Sequence, residues 1–165
     1  MKGDINAFEN LVERYEKRLF TVAVRMLNNE VDAREVVIIV FEKTFFALKT
    51  YKKQYKFSTW LYRILLNEVY DFLKQKKRQS LQPLPLSLGH LQDPSKELEK
   101  KEFWAAVSEA LMYLSSKERA TFVLSVFNRI SVDEIADMHN CPRGTVCWRL
   151  FQARSKMAKI LKMWK

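Results

Sequence analysis

Residues 131–157 read SVDEIADMHNCPRGTVCWRLFQARSKM, and the punctuation of this stretch decides the fold. Ser131-Val132-Asp133-Glu134 has capping-box spacing, in which a serine and a glutamate three residues on satisfy free backbone donors at a helix start. The short helix that follows ends near His139, where Asn140 tolerates the left-handed conformation a tight helix-to-helix turn requires. Pro142 is accepted in the first turn of the next helix, where its missing N–H has no partner to lose. That final helix carries Val146, Leu150, Ala153 and Met157 inward at helical spacing. Short helix, tight turn, long helix is the pattern of a helix-turn-helix.

Upstream, Ser115-Ser116-Lys117-Glu118 has the same capping-box spacing, and an earlier helix runs through Leu98, Phe103, Trp104, Val107, Leu111 and Leu114. Before it the stretch QSLQPLPLSLGHLQDP, residues 79–94, holds three of the four prolines and predicts an extended linker. Its leucines, Leu81, Leu84, Leu86, Leu88 and Leu91, are many for a solvated tether; they fit a segment lying on another surface or on its own domains. The N-terminal part shows three helical patterns. The first spans about Asn6 to Leu27 and is broken by Asn28-Asn29; the second is capped by Asp32 and runs through Val36, Val40, Phe41, Phe45 and Leu48. The third is capped by Ser58 or Thr59 and ends at the basic run Lys74, Lys76, Lys77, Arg78, which suits the helix dipole. The expected fold is all-α: small helical domains at 1–78 and 95–165, joined by the proline-rich linker at 79–94.

The 165 residues carry 29 Lys and Arg against 19 Asp and Glu, a net charge of +10. The surplus is divided: 1–78 hold 16 basic and 10 acidic side chains, 79–102 hold 3 and 4, and 103–165 hold 10 and 5. Two basic domains thus flank a near-neutral tether, a distribution that favours polyanionic partners. Only three glycines occur, Gly3, Gly89 and Gly144, too scattered for a phosphate-cradling loop of the Rossmann or P-loop kind. Cys141 and Cys147 lie six apart on one expected helical segment and are not placed to bridge, which fits a reducing cytoplasm. A metal site from His139, Cys141 and Cys147 has too few ligands at an unfamiliar spacing, so no metal and no cofactor are expected. The apolar run Val36 to Phe41 is far short of a membrane span, and MKGDINAFEN has no signal core.

Three constellations carry chemistry. The last helix presents Arg143, Thr145, Arg149, Arg154, Lys156 and Lys159 around its non-core faces. A helix fits the major groove of duplex DNA, with Arg143, Thr145, Cys147 and Trp148 toward base edges and Arg149 and Arg154 toward phosphates. A solvated charged face is the competing reading. Residues 51–60 interleave four aromatics with Lys52, Lys53 and Lys56, the composition of a single-strand surface, although such aromatics, Trp60 above all, also suit a core. The run VVIIVF at 36–41 covers every side of a helix, so part of it must face outward as a patch for a protein partner, unless neighbouring segments cover it.

The order AFENLVERYEKRLFTVAVRML (7–27), a second helix, FSTWLYRILLNEVYDFLKQKKR (57–78), a proline-rich linker and ALMYLSSKERATFVLSVFNRISVDEIADMHNCPRGTVCWRLFQARSKM (110–157) resembles a bacterial extracytoplasmic-function (ECF) sigma factor. The resemblance spans nearly the whole chain. It implies a non-catalytic RNA polymerase subunit whose first domain binds the polymerase clamp and opens the −10 element, while the second reads the −35 element. By this likeness Lys52, Lys53, Tyr55, Lys56, Phe57 and Asn67 face single-stranded −10 DNA, Asn67 helping to hold a flipped base. Melting costs a few kcal/mol per unstacked step, which a preformed pocket offsets. Glu35, Ile38, Ile39 and Glu42 fall on the helix that touches core polymerase. Implied partners are core RNA polymerase, promoter DNA and an anti-sigma factor; the linker would run through the polymerase toward its active site.

Departures from the family pattern are informative. Ile38-Ile39 stand where a Gln and an acidic residue are usual, which makes the clamp surface more apolar. Cys141 stands at the usual serine cap, and Cys147-Trp148 replace Lys-Ser, which alters −35 preference. A sigma-like DNA-binding regulator that no longer supports initiation is the alternative function; an enzyme lacks any catalytic constellation.

Overall fold

Every regular element is helical in the computed structural model, which describes residues 2–52, 54–79 and 96–162. The course expected for the linker and the position of Lys53 lie outside the described residues. Helix α1 (Lys2–Leu27), α2 (Glu30–Ala47) with a 3-10 turn at Leu48–Thr50, and α3 (Phe57–Gln79) form the first unit. The second contains α4 (Lys96–Met112), α5 (Ser116–Phe122) running into a π-helical turn at Val123–Phe127, α6 (Val132–His139) and α7 (Arg143–Lys162).

In the first unit Leu19, Val22 and Met26 of α1 meet Val36 and Val40 of α2 and Leu61, Leu65 and Val69 of α3, all excluded from solvent. Each such side chain contributes about 1.5–3 kcal/mol on burial, more than a surface ion pair, so this shared stripe sets the packing. The run 36–41 divides as its length demands: Val36, Val37, Val40 and Phe41 are buried, Ile39 is half-buried and Ile38 is 67% exposed.

Two expected caps are corrected. Asn29, not Asp32, caps α2: its Oδ1 accepts from the N–H groups of Val31 and Asp32 at 2.9 and 3.0 Å. Asn28 at φ 51° closes α1 immediately before, so the turn is too tight to leave Asp32 outside the helix. Asp32 instead pairs with Lys76 of α3. Helix α3 opens at Phe57 rather than after Ser58 or Thr59, and the Lys56 carbonyl accepts from the Trp60 N–H at 3.2 Å. The cause is aromatic burial: Phe57 packs against Tyr15, Tyr51 and Trp60 at ring separations of 5.7, 5.5 and 5.4 Å.

In the second unit both capping boxes form, Ser115 with Glu118 and Ser131 with Glu134. Asn140 takes the left-handed conformation, φ 47°, and the Cys141 N–H donates back to the Ala136 carbonyl at 3.1 Å. Pro142 falls one residue before α7 rather than within it, its carbonyl accepting from Thr145 at 3.0 Å; the cap position therefore belongs to Pro142 and not to Cys141.

The two units are packed together. Buried Arg119 of α5 donates from Nε to the Leu111 carbonyl at 2.8 Å and from Nη2 to Met112 and Leu114 at 3.1 and 3.2 Å. Its Nη1 reaches across to the Met26 carbonyl in the last turn of α1. One planar guanidinium thus satisfies carbonyls at the ends of two helices, which have no intrahelical donors. Helix α6 lies against α3.

Candidate nucleic-acid interface

Helix α7 turns Val146, Leu150, Ala153 and Met157 into the core, as its period requires, and leaves the opposite face open. Arg143, Cys147 and Arg154 are exposed, Trp148 is 59% exposed and Thr145 is half-buried. Arg143 is held in place: its Nη1 lies 3.0 and 3.1 Å from the two carboxylate oxygens of Asp133 on α6. Its remaining donors are free of that carboxylate. Arg149 stands apart from this group, half-buried, with Nη1 3.7 Å from the Cys141 sulfur.

Phe151, absent from the residues expected on this face, is 69% exposed and lies one turn beyond Cys147 and Trp148 on the same side of α7. With Val132, Cys147, Leu150 and Arg154 it lines a groove. The signal was present: an aromatic three and four residues from two residues already assigned to an outer face lies on that face.

The second surface is the loop before α3 and the first turns of that helix. Tyr51 and Trp60 pack at 5.0 Å and, with Phe57, form a closed aromatic cluster, so Phe57 is a wall of the cluster rather than a free ring. Tyr51 also ties the loop by donating to the Tyr55 carbonyl at 2.7 Å. Tyr55 is the exposed ring, with the Arg63 guanidinium 5.2 Å over it. Lys52 and Lys56 are exposed, and Asn67, also exposed, lies one turn beyond Arg63 on the same face. Arg63 escaped sequence reading because what fixes it is distant in the chain: it donates to the Asp137 carbonyl, at the C-terminal end of α6.

Helix α6 therefore sits on part of this second surface. Lys56 Nζ is 2.8 Å from Glu134 Oε1. The hydrogen bond that Lys56 donates to Glu134 raises the Lys56 pKa, and in return the bonds from Lys56 and Ser131 hold the Glu134 carboxyl below its ordinary value. Farther along, Tyr70 Oη approaches His139 Nδ1 at 3.5 Å. Burial, with Arg149 and Lys117 nearby, depresses His139 to about 4, so it is neutral here at ordinary pH. On the other side of the contact Arg25 of α1 lies 4.3 Å over the Phe127 ring.

The third surface is the outer side of α2. Glu35, Ile38 and Glu42 are exposed, with Val31, Phe45 and Phe46 also open at 73%, 45% and 71%. Val31, Ile38 and Phe45 recur every seven residues and form one apolar stripe. Ile39 faces a different side, half-buried in a cleft lined by Asp32, Glu35, Glu68 and Phe72. Among the described residues no cluster of three His, Cys, Asp or Glu could hold a metal, and no helix is long and apolar enough to cross a membrane.

Comparison with known proteins places these surfaces in matched segments. Residues 11–79 match the family model for sigma-70 region 2, and residues 104–157 that for sigma-70 region 4. The chain is 28% identical to RNA polymerase sigma-H factor of Pseudomonas aeruginosa, covering 98% of this chain and 89% of that one. It is 27% identical to the ECF RNA polymerase sigma factor SigW of Bacillus subtilis, with 98% and 92% covered. Its fold is that of the sigma factor RpoE solved with the anti-sigma factor NepR from Bartonella quintana, at TM-score 0.77 and 20% identity over 94% of this chain and 97% of that one. CnrH, solved with the cytosolic domain of CnrY, superimposes at TM-score 0.75 and 24% identity, with 98% and 92% covered.

Proposed function

This chain belongs to the sigma-70 family, as an RNA polymerase sigma factor of the extracytoplasmic-function type, and from that premise we propose how its surfaces divide the work. Residues 1–78 bind core polymerase and the melted −10 element; residues 95–165 read the −35 duplex; residues 79–94 connect them. The observation that carries this division is the presence of regions 2 and 4 in one chain, each with its own exposed, cation-bearing face.

On α2 the apolar stripe through Ile38, edged by Glu35 and Glu42, faces the polymerase, with Ile39 contributing from its cleft. A stripe of this kind gains affinity by desolvation, with charges at its rim setting register. In the −10 surface Tyr55 offers a stacking face, Lys52, Lys53 and Lys56 meet phosphates, and Asn67 supplies the donor and acceptor that an extruded base edge needs. Phe57 supports the loop from within its cluster. On α7 Arg143, Thr145, Cys147 and Trp148 face base edges, while Arg154 and the free edge of Arg149 face phosphates.

The two elements are centred about 25 base pairs apart, roughly 85 Å at about 3.4 Å per base pair. Region 4 cannot read one while α6 rests on α3 beside the binding surface for the other. The chain must open, and the 16 residues of 79–94 can span at most about 55 Å when extended, so the linker covers part of that separation and the widths of the two helical domains cover the rest. The form described is thus the one that precedes polymerase binding. An anti-sigma factor is the partner expected to act on it, and the setting is the cytoplasm, where the protein serves as a non-catalytic subunit.

Run-off transcription with core polymerase tests the function. A promoter-specific transcript that depends on the protein is the expected result. Specific duplex binding with no transcript from any bound promoter would instead identify a sigma-like regulator that has lost initiation.

A further inference from the structure

The open face of α7 is unusual in its chemistry. Gly144, Trp148, Phe151 and Ser155 fall at i, i+4, i+7 and i+11, a single helical stripe, and it carries no charge. Trp148 and Phe151 project from it, 59% and 69% exposed, with Cys147 open beside them. At Gly144 nothing lies within 4 Å of where a side chain would begin, so the first turn is flush and a partner can approach the backbone. The cations stand at the sides, Arg143 and Arg154 along one edge and Arg149 along the other.

An apolar ridge between two cationic edges matches the section of a major groove, where phosphates flank the base edges. The favourable base-edge partner for an apolar side chain there is the thymine 5-methyl group. Guanine, adenine and cytosine present donors and acceptors that a ring would desolvate without pairing. The single indole N–H of Trp148 adds one donor, which the thymine O4 beside the methyl can accept.

We propose that α7 selects its −35 element through thymine methyl groups, with Trp148 and Phe151 as the specificity-determining side chains. This rests on α7 being the −35 reader. Arg149 and Arg154 then position the helix on phosphates without choosing the sequence, and guanine contacts by Arg143 do not dominate the preference.

The test uses holoenzyme assembled from the full chain and core polymerase, with promoter duplexes randomised across the −35 region. Enriched duplexes should hold thymines on either strand at two or more fixed positions. Replacing each by deoxyuridine removes the methyl alone and should weaken binding about fourfold per methyl contacted, as about 0.8 kcal/mol of buried CH₂ implies. Phe151→Ala should abolish the deoxyuridine effect at its own position while leaving the salt dependence unchanged; 7-deazaguanine in the same duplexes should have no effect. Equal binding of thymine and deoxyuridine duplexes would overturn methyl reading while leaving α7 as the −35 reader. Absence of any −35 preference would remove both. If Trp148→Ala and Phe151→Ala leave DNA selection intact and weaken polymerase binding, the ridge is a protein contact and the proposal fails. Both side chains are exposed, so melting temperatures should match the parent.

Discussion

Lys56, in the loop leading into α3, and Glu134, in the first turn of α6, form an ion pair 2.8 Å long between two regions of the chain 78 residues apart. Each has another task. Glu134 completes the capping box of α6, and Lys56 belongs to the face proposed for single-stranded DNA. With Lys56 75% exposed the pair adds little to stability. Its consequence is positional: together with Arg63 on the Asp137 carbonyl, it keeps the helix-turn-helix against the surface proposed for promoter DNA.

If opening is required, tying Lys56 to Glu134 should block it. Cysteines at these positions, in a Cys141→Ser, Cys147→Ser background, can be joined by a short bismaleimide. The joined protein should fold and support no promoter-specific transcript, whereas the same protein unjoined, though weakened by the loss of Lys56 and Cys147, should still transcribe and sets the reference level. Full activity after joining would show that both elements can be engaged with α6 on α3.

On α2 the adjacent isoleucines should behave differently. Ile38→Glu changes an exposed side chain, so stability should stay within about 0.5 kcal/mol while affinity for core polymerase falls at least tenfold. Ile39→Glu introduces a charge into a cleft already lined by Asp32, Glu35 and Glu68, and should cost about 1–3 kcal/mol. Titration of core polymerase and thermal melting separate the two effects.

What the sequence disclosed depended on how local the physics is. The capping boxes at Ser115 and Ser131 and the left-handed Asn140 are settled within four residues, and all three formed as read. The starts of α2 and α3 were not so legible. Asn28, Asn29 and Asp32 are all competent to cap, and the turn geometry that chose Asn29 depends on how α1 and α2 pack. Phe57 was drawn into α3 by Tyr15, which is 42 residues away. The same divide runs through the candidate surfaces. Cys147 and Trp148 follow from helical phase alone, and Phe151 would have followed from the same phase. Arg63 acquires its position from Asp137, which no local pattern announces.

His139 should make the protein acid-sensitive. Its pKa is about 4 in the folded chain against 6.5 unfolded, because burial disfavours the cation and Arg149 and Lys117 oppose it. Below 6.5 the unfolded chain binds the extra proton, so the stabilisation is complete above pH 6.5 and is lost as pH falls toward 4. The full loss is about 3 kcal/mol. Glu118 and Glu134 add sensitivity only at lower pH, since both carboxyls are held below their ordinary value. Denaturant unfolding between pH 6.5 and 4.5 therefore isolates the histidine, and His139→Gln should flatten that part of the profile. An unchanged slope would mean that His139 is solvated.

Arg119→Lys tests the buried guanidinium. Burial lowers its pKa but leaves it charged, and its five N–H groups serve four carbonyls from α1, α4 and the turn before α5. A lysine ammonium has three donors without the planar fork and leaves at least one carbonyl unpaired. Stability should fall by about 2–3 kcal/mol, and amide exchange should rise first at the end of α1 and in α5. A loss under 0.5 kcal/mol would show that water replaces the missing donors.

Arg154 and Arg149, both read from sequence as phosphate contacts, should separate in solution. Arg154 is exposed at the edge of the α7 groove and has no protein partner to lose among the contacts described. Arg154→Ala should weaken holoenzyme binding to every promoter by a similar factor and make the slope of log affinity against log salt shallower by about 1, with the melting temperature unchanged. Arg149 is half-buried beside Cys141 and faces the Tyr70–His139 contact, so Arg149→Ala removes packing as well as charge. It should lower stability by about 1 kcal/mol and also loosen α6 from α3. The salt slope should then change less than for Arg154→Ala, because in the proposed arrangement only the free edge of Arg149 is left for phosphate. Equal slopes for the two variants, with equal stability, would place both arginines on the DNA in the same way and remove Arg149 from the contact between regions.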